Sequence, residues 1–328
     1  MSKTLIYAAE IVKLEAKKTN MAPTVILDEY YFALCAIITV VMQLSCYFIA
    51  FTCNIDKITD FAGSTNFILL GVLTLVLKGS FYTRQIVITG LICLTRAELA
   101  AFLLYRVLKR KKDARFDEIR GNCLYFLGFW IYQILWVYLC MLPVIFLNGE
   151  SQDAPLGTLD YISWACFGVG FFIQVIADMQ KYRFRANLAN KGSFCDVGLW
   201  SMSRHPNYYG EIIMWWAIFC GTIPVFGVTG NSVAAWCGII SPLFTMGVLL
   251  GLTGLPTAEG ANLQRYYKNP DVAAEWERYR ENASPIILLP QTVYRKLPMG
   301  LKRAFCCEFR FLEYTRPGSE DITEATPI

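Results

Sequence analysis

The sequence is poor in charge, and this scarcity excludes whole classes of protein. Acidic and basic residues make up 17% of its 328 residues, whereas a soluble domain carries about a quarter. The formal net charge is only +4, so a broad basic surface for nucleic acid is not expected. With 55% hydrophobic residues and a mean hydropathy of +0.40, the chain is neither a soluble globule nor a disordered polymer.

Metal and disulfide motifs are scarce as well. The chain has one histidine and no Cys-x-x-Cys pair, so no metal site is expected. Most of its twelve cysteines lie inside apolar runs, where cysteine behaves as a small hydrophobic residue. Cys306 and Cys307 lie in a basic tail beside phenylalanines and could accept palmitate. We favour the simpler interpretation of two reduced cytosolic thiols.

Long apolar runs are what the sequence does contain, and a bilayer-spanning helix needs about 20 such residues. They predict an all-α bundle of about seven transmembrane helices. We divide the chain into a polar amino-terminal segment (1–30), a transmembrane domain (31–290) and a cytosolic tail (291–328). The polar start does not resemble a cleaved signal peptide. The predicted spans are 31–53, 61–77, 86–107, 124–147, 159–177, 209–226 and 232–255.

The distribution of lysine and arginine predicts the orientation of the bundle. Basic residues collect in 109–120, 181–191 and 295–303, which two spans separate in each case, and the loop 148–157 has none. Because cytosolic loops are enriched in lysine and arginine, we expect the carboxyl terminus in the cytosol. Seven spans then place the amino terminus on the opposite face. The four lysines in the first eighteen residues argue mildly against that placement.

The strongest local pattern is the run SMSRHPNYYGE, which opens directly into the sixth predicted span. Pro206 suits the first turn of a helix, so Arg204 and His205 are placed at a helix amino terminus, which favours anions. Asn207 and Glu211 are four residues apart and project from one helix face. An ionisable group at the edge of the hydrocarbon is costly without a partner, and this run is therefore a candidate ligand site.

Two further polar groups lie nearby in the last spans. Asp178 and Arg185 are seven apart and share a helix face; this is consistent with a phosphate-rich ligand or with a positive-inside anchor. After the last span, Arg265 and Tyr279 belong to a mixture of aromatic and basic residues. Such a mixture suits stacking on a base and gripping a phosphate, or an interfacial belt.

Together these runs resemble the steroid 5α-reductase-like superfamily of membrane enzymes, and most closely its broadly distributed, poorly characterised branch. The resemblance covers about residues 90–290. The runs near the carboxyl-terminal end of this region are specific to the superfamily only in combination. The matching runs are KKDARFDEIRGN, FWIYQ, ADMQKYRFR, SRHPNYYGE, SPLF and ERYRENASPIILLP.

The resemblance implies NADPH-dependent reduction of a carbon-carbon double bond, often conjugated to a carbonyl, in a lipid or steroid-like substrate. It also implies an endoplasmic reticulum membrane. A GxGxxG fingerprint is absent from the sequence, as expected for a cofactor cradled between helices. The extra 2′-phosphate of NADPH calls for arginine or lysine. By position, the cofactor contacts are Asp178, Arg185, Arg204, His205, Asn207, Tyr208, Glu211, Arg265 and Tyr279.

The sequence identifies the proton donor less clearly than the cofactor contacts. Steroid 5α-reductases use a glutamate and a tyrosine from their early helices, and a convincing counterpart is missing here. Glu98, Tyr105 and Tyr132 are the candidates. Arg96, two residues before Glu98, is expected to point into the bundle because lipid does not accept a charge.

Two other classes of function stay open. S-adenosylmethionine-dependent methyltransferases of the isoprenylcysteine and phospholipid types share an Arg-His-Pro-x-Tyr start to a late helix. Their cofactor has no phosphates, and the Asp178/Arg185 spacing together with Asn207 favours the reductase. A non-catalytic lipid-binding membrane protein is the third class. The sequence leaves the substrate and the oligomeric state unspecified.

Overall fold

A computed structural model describes residues 25–53, 58–110, 121–259 and 263–309, with the side chains of 60 and 104–110 excepted. This part of the chain is nearly all helical and forms no strand beyond isolated bridges, which confirms the predicted all-α class. Seven helices are long and apolar enough to cross a membrane. The predictions for the first 24 residues and for the end of the tail fall outside the described residues.

The long helices come first and short ones follow. We number the α-helices in chain order. They are α1 (Phe32–Thr52), α2 (Ile58–Lys78), α3 (Thr83–Arg110), α4 (Cys123–Gly149), α5 (Thr158–Ala186), α6 (Pro206–Thr222), α7 (Ser232–Cys237), α8 (Ile240–Gly247), α9 (Leu255–Ala258), α10 (Gln264–Tyr267), α11 (Pro270–Asn282), α12 (Gln291–Tyr294) and α13 (Met299–Cys306).

Polar side chains fix where several helices begin. The Asp28 carboxylate accepts hydrogen bonds from the first amides of α1, those of Phe32 at 2.9 Å and Ala33 at 2.7 Å. Asn122 caps α4 by accepting from the amide of Leu124 at 3.0 Å. A cap of this kind satisfies amides that have no partner within the helix, so these residues define the starts of apolar runs that would otherwise have no sharp boundary.

The seven spans agree with the predicted ones to within a few residues at most ends, but the last one is not a single α-helix. It consists of α7, α8, a π-helical turn (Val248–Leu252) and α9. At the first break the amides of Gly238 and Ile239 bond three residues back. Pro242, which follows, has no amide hydrogen to give. The α-helical hydrogen-bond ladder is therefore interrupted inside an apolar run.

The chain divides into two compact units, Met1–Phe167 with Trp215–Thr245, and Gly168–Met214 with Met246–Ile328. In the first unit α1 to α4 pack against one another. The second unit has an aromatic core in which the ring of Phe194 stacks on that of Tyr279, with 5.0 Å between centroids. Each unit buries polar side chains as well as apolar ones.

Two arginines lie inside the first unit. Arg84 donates to both carboxylate oxygens of Asp160, at 2.6 and 3.0 Å. Arg96 is 2% exposed, and its guanidinium lies over the rings of Phe67 at 5.1 Å and Trp215 at 5.4 Å. A delocalised cation gains energy from aromatic faces, so Arg96 points into the bundle as its position in an apolar span predicted.

The structure also describes the cysteines and the residues that could bind a metal. The twelve cysteines are free thiols. The described residues contain no group of three or more potential metal ligands. Cys306 is buried while Cys307 is partly exposed, and burial raises the pKa of the Cys306 thiol.

Candidate functional site

The start of α6 is held by the segment that follows α11. The amide of Arg204 donates to the carbonyl of Ser284 at 2.7 Å, and the hydroxyl of Ser203 donates to the carbonyl of Ile286 at 2.7 Å. These contacts join residues about eighty positions apart. They place the Arg-His-Pro run against residues 284–286, within the second unit.

Arg204 is buried and paired with two carboxylates. Its Nε lies 3.1 Å from Glu259 Oε1, and its Nη2 donates to both oxygens of Glu308 at 3.0 and 3.1 Å. The Tyr294 hydroxyl also donates to Glu308, at 2.5 Å. The positive charge that the sequence places at the helix start is therefore already compensated within the protein.

The pKa values of this pair follow from competition between burial and charge. Burial alone lowers the pKa of Arg204, but Glu259 and Glu308 outweigh it and raise that pKa above its usual range. Burial alone raises the pKa of Glu259, but Arg204 and His205 outweigh it and lower that pKa to about 2. Both groups are consequently charged at any physiological pH.

His205 shares the same carboxylate. Its Nε2 lies 2.9 Å from Glu259 Oε1, and its ring stacks on Tyr208 with 5.1 Å between centroids. Burial lowers the His205 pKa more than Glu259 raises it, and the charges of Lys181 and Arg204 lower it further. The ring is thus neutral near pH 7. Because an ionised carboxylate only accepts hydrogen bonds, Nε2 carries the proton and Nδ1 is left as an acceptor.

Apart from Arg204 Nε, which is ion-paired with Glu259, three buried polar atoms at this helix start have no hydrogen-bond partner within the described part of the chain. They are Arg204 Nη1, His205 Nδ1 and Asn207 Oδ1, one donor and two acceptors. Leaving a buried polar group unpaired costs about 1–3 kcal/mol. Three such atoms within four residues are typical of a ligand site, in which a bound molecule completes the hydrogen bonds.

Helices α5 and α6 touch at two glycines, and this contact brings their polar residues together. A Cβ built on Gly210 would lie 2.5 Å from the carbonyl oxygen of Gly170, which is closer than real atoms approach. Two turns beyond Gly170 along α5, Asp178 accepts a hydrogen bond from Asn207 Nδ2 at 3.2 Å. Glu211, next to Gly210, is only partly buried. Gly210 thus allows the close contact between α5 and α6.

The remaining predicted cofactor residues lie at the edge of this cluster. Tyr279 is buried and donates to the carbonyl of Trp200 at 2.5 Å, and the ammonium of Lys181 lies 4.2 Å from the centroid of the same tryptophan ring. Arg185 and Arg265 are exposed, and the Arg265 guanidinium lies 4.8 Å from the ring centroid of Tyr266. Positive charge is therefore available to solvent around a buried aromatic and polar centre.

The three candidate proton donors lie in the first unit. Glu98 is partly buried on α3, and Tyr132 is partly exposed on α4. Tyr105 is on α3, but its side chain is outside the described residues. The choice among them stays a prediction.

Sequence reasoning missed Glu308. It follows α13, beyond the end of the resembling region, and no local pattern distinguishes it from other tail carboxylates. Glu259 comes just after the last predicted span, but its pairing with Arg204 joins residues that are distant in the sequence. Only the folded chain shows that the guanidinium of Arg204 binds both carboxylates.

The two structural findings, seven potential spans and a polar cluster at the start of the sixth, define a polytopic membrane protein with a candidate ligand site. The chain belongs to a family described as protein of unknown function (DUF1295), whose pattern matches residues 46–281. It is 26% identical over 161 residues to uncharacterized protein C594.04c of Schizosaccharomyces pombe, covering 42% of this chain and 45% of that protein. The match thus spans less than half of that relative's length. No solved structure matches the chain.

Proposed function

We propose that this protein is an NADPH-dependent reductase that acts on a carbon-carbon double bond in a lipid or steroid-like substrate. We place it in the endoplasmic reticulum membrane with its carboxyl terminus in the cytosol. The cofactor site is the cluster at the start of α6. The support for this proposal comes from the residues of that cluster and from the resemblance of the surrounding runs to steroid 5α-reductase-like enzymes.

The observation that carries the proposal is the set of three unpartnered atoms, Arg204 Nη1, His205 Nδ1 and Asn207 Oδ1. A carboxamide donates two hydrogen bonds through its nitrogen and accepts through its oxygen, and so it matches one donor and two acceptors. Ribose hydroxyls, which both donate and accept, match as well. The nicotinamide riboside part of the cofactor has both kinds of group.

We assign the phosphates to different side chains. Arg204 is compensated by two carboxylates, so its role is to orient Glu259 and to donate through Nη1. Arg185 and Arg265 are exposed cations of the same unit, and an arginine fork suits a phosphate. They are the proposed partners of the pyrophosphate and the 2′-phosphate.

The chemistry divides between the cofactor and the chain. When bound, NADPH supplies a hydride to the β-carbon of an enone or enoyl group and is left oxidised. A side chain then has to stabilise the developing enolate and deliver a proton to the α-carbon. Glu98, Tyr105 and Tyr132, which lie on α3 and α4, are the proposed donors.

One observation favours a second candidate, an S-adenosylmethionine-dependent methyltransferase. The internal neutralisation of Arg204 removes a phosphate ligand from the site, and S-adenosylmethionine has no phosphate. The two cofactors are therefore compared directly in the experiment below.

The test is the thermal unfolding of the detergent-solubilised full-length protein with NADPH, NADH or S-adenosylmethionine. A ligand that binds only the folded state at about 100 times its Kd stabilises it by about 2.7 kcal/mol. We expect stabilisation by NADPH, with a smaller effect of NADH. Stabilisation by S-adenosylmethionine alone would select the methyltransferase, and no stabilisation by any of them would leave a non-catalytic lipid-binding protein.

We predict that Asn207→Ala weakens NADPH binding by about tenfold, the loss of roughly one buried hydrogen bond. The variant keeps the fold, since Asn207 is only partly buried. The matched control is Asn282→Ala at the end of α11, where the side chain donates to the carbonyl of Arg278. Equal NADPH affinity in both variants and the parent protein would contradict the site.

A further inference from the structure

Helix α13 has an unusual distribution of apolar residues. Leu301 and Phe305 are 43% and 67% exposed, and Met299 at its start is 50% exposed. Its inward side carries Cys306, which is 1% exposed, and Lys302, whose ammonium lies 4.4 Å from the ring centroid of a buried tyrosine. A helix on a water-exposed surface has the opposite arrangement, with its apolar stripe inward. The outward face of α13 therefore requires an apolar environment.

The position of α13 is fixed beside the ends of two spans. Glu308, two residues after the helix, is bound through both oxygens to Arg204. Arg204 is two residues before α6, where the sixth span begins, and it also pairs with Glu259, which directly follows the seventh span. The start of one span and the end of the next thus meet at one guanidinium. The ends of membrane spans are expected near the level at which hydrocarbon gives way to water, and α13 is tied to two such ends.

The charge around α13 is positive. Arg295 and Lys296, between α12 and α13, are exposed. Lys302 and Arg303 add further positive charge within the helix. The one acidic residue in 291–309 is Glu308, which is buried in ion pairs. Anionic lipid attracts basic residues beside a membrane span by about 1 kcal/mol each.

We propose that α13 is an interfacial helix that lies on the membrane in which the protein is embedded, with Leu301 and Phe305 at the acyl boundary. Its basic neighbours face anionic headgroups. An apolar face flanked by basic residues is the usual form of a helix that lies in the plane of the interface. The inference does not depend on the proposed reductase activity: it uses the ion pairs of Arg204 but neither a bound cofactor nor a proton donor.

The test uses the full-length protein in nanodiscs of phosphatidylcholine, with and without phosphatidylserine. Each disc contains a phospholipid with a photoactivatable diazirine near the carbonyl end of its acyl chain, and labelled peptides are identified by mass spectrometry. We expect labelling of Leu301 and Phe305 in both discs and more labelling with phosphatidylserine. Labelling of 299–306 no greater than that of the polar helix α11 would overturn the proposal, because a soluble partner or a second copy would then be needed to cover this face.

Two sets of variants separate the apolar and the ionic contributions. Leu301→Gln combined with Phe305→Gln is expected to reduce labelling of 299–306 to the level of α11. Leu188→Gln, at a site 86% exposed on a turn after α5, is the matched control and is expected to leave it unchanged. The double variant Arg295→Gln with Lys296→Gln removes two positive charges. It should reduce the gain in labelling from phosphatidylserine by roughly fivefold per charge.

Thermal unfolding of each variant shows whether it is folded, and only variants with the melting temperature of the parent protein are compared. A folded double glutamine variant that keeps full labelling would refute the docking of α13 through these two side chains. An equal gain from phosphatidylserine with and without the two basic residues would refute the ionic part.

Discussion

At the scale of single residues, the site depends on one carboxylate that serves two neighbours. Glu259 holds Arg204 at 3.1 Å and His205 at 2.9 Å. The histidine is neutral and its pKa is lowered, first by burial. It is also the only histidine in the sequence. Its titration is therefore a specific reporter for the state of the site.

We predict that the protein becomes less stable as the pH falls below about 6.5, the ordinary pKa of histidine. A lowered folded-state pKa means that the unfolded chain binds the proton more readily, so stability is full above the unfolded pKa and declines below it. His205→Gln should remove this decline between about pH 6.5 and pH 5. The measurement is the melting temperature in detergent across this range.

A second loss of stability should begin lower, from Glu259. Its pKa is 4.5 in the unfolded chain and about 2 when folded, so its contribution is present above pH 4.5 and is lost as the pH falls toward 2. This loss should persist in His205→Gln. If the melting temperature of His205→Gln still declines between pH 6.5 and pH 5, a group other than His205 is responsible for the loss of stability in that range.

The sequence indicated the polar residues of the site but not how their charges are used. Arg204 was predicted as an anion ligand because it stands at a helix start, and that reasoning is local. The carboxylates that neutralise it come from Glu259 and from Glu308, 104 residues away in the chain. Ion pairs between distant segments leave no periodicity or spacing in the sequence, so the pairing could not be predicted.

At the scale of elements, the site depends on the close contact between α5 and α6. Gly170 and Gly210 face each other, and a Cβ on either one would lie within 2.7 Å of the other's carbonyl oxygen. Backbones can approach this closely only where side chains are absent, as in other membrane helix pairs. The contact allows Asp178 to reach Asn207.

We predict that Gly210→Ala destabilises the protein by about 1–3 kcal/mol, because the added methyl group forces packed backbone apart. The same change should weaken NADPH binding, since it separates Asp178 from Asn207. Gly128→Ala in α4 is the control, because its Cβ would meet no atom within 4 Å and alanine favours a helix. The measurements are thermal unfolding and NADPH binding in detergent; an equal effect of both substitutions would contradict the contact.

The spans themselves could be predicted because each is a continuous apolar run of the length that a bilayer requires. The ends of α1 and α4 match to within two residues, and polar side chains cap the starts of both helices. The break between α7 and α8 was not predicted. Hydropathy stays high across Gly238 and Pro242, and the change from α-helical to shorter hydrogen bonds depends on backbone geometry that composition does not report.

At the scale of the whole molecule, charge is distributed unequally among the loops. Basic residues fill the segments after α3, after α5 and after the last span, whereas the loop between α4 and α5 has only acidic charges. Two of the acidic residues that follow α4, Asp153 and Asp160, pair with the buried Arg84. These ion pairs tie the region to α3, and a loop without basic residues is what the positive-inside rule leads us to expect on the non-cytosolic side.

This orientation leads to a prediction about glycosylation. Asn282, Ala283 and Ser284 form an Asn-x-Ser acceptor for N-glycosylation, which is used only where the chain enters the secretory lumen. If the carboxyl-terminal side is cytosolic, Asn282 stays unmodified in cells, and so does an acceptor appended after Ile328. An acceptor appended before Met1 should be modified, because seven spans place the two ends on opposite faces.

Glycosidase-sensitive mobility shifts measure all three sites. Since Asn282 is half-buried and burial alone can block the enzyme, the appended acceptors decide the result: modification after Ile328 would reverse the orientation, and with it the cytosolic position proposed for the cofactor site.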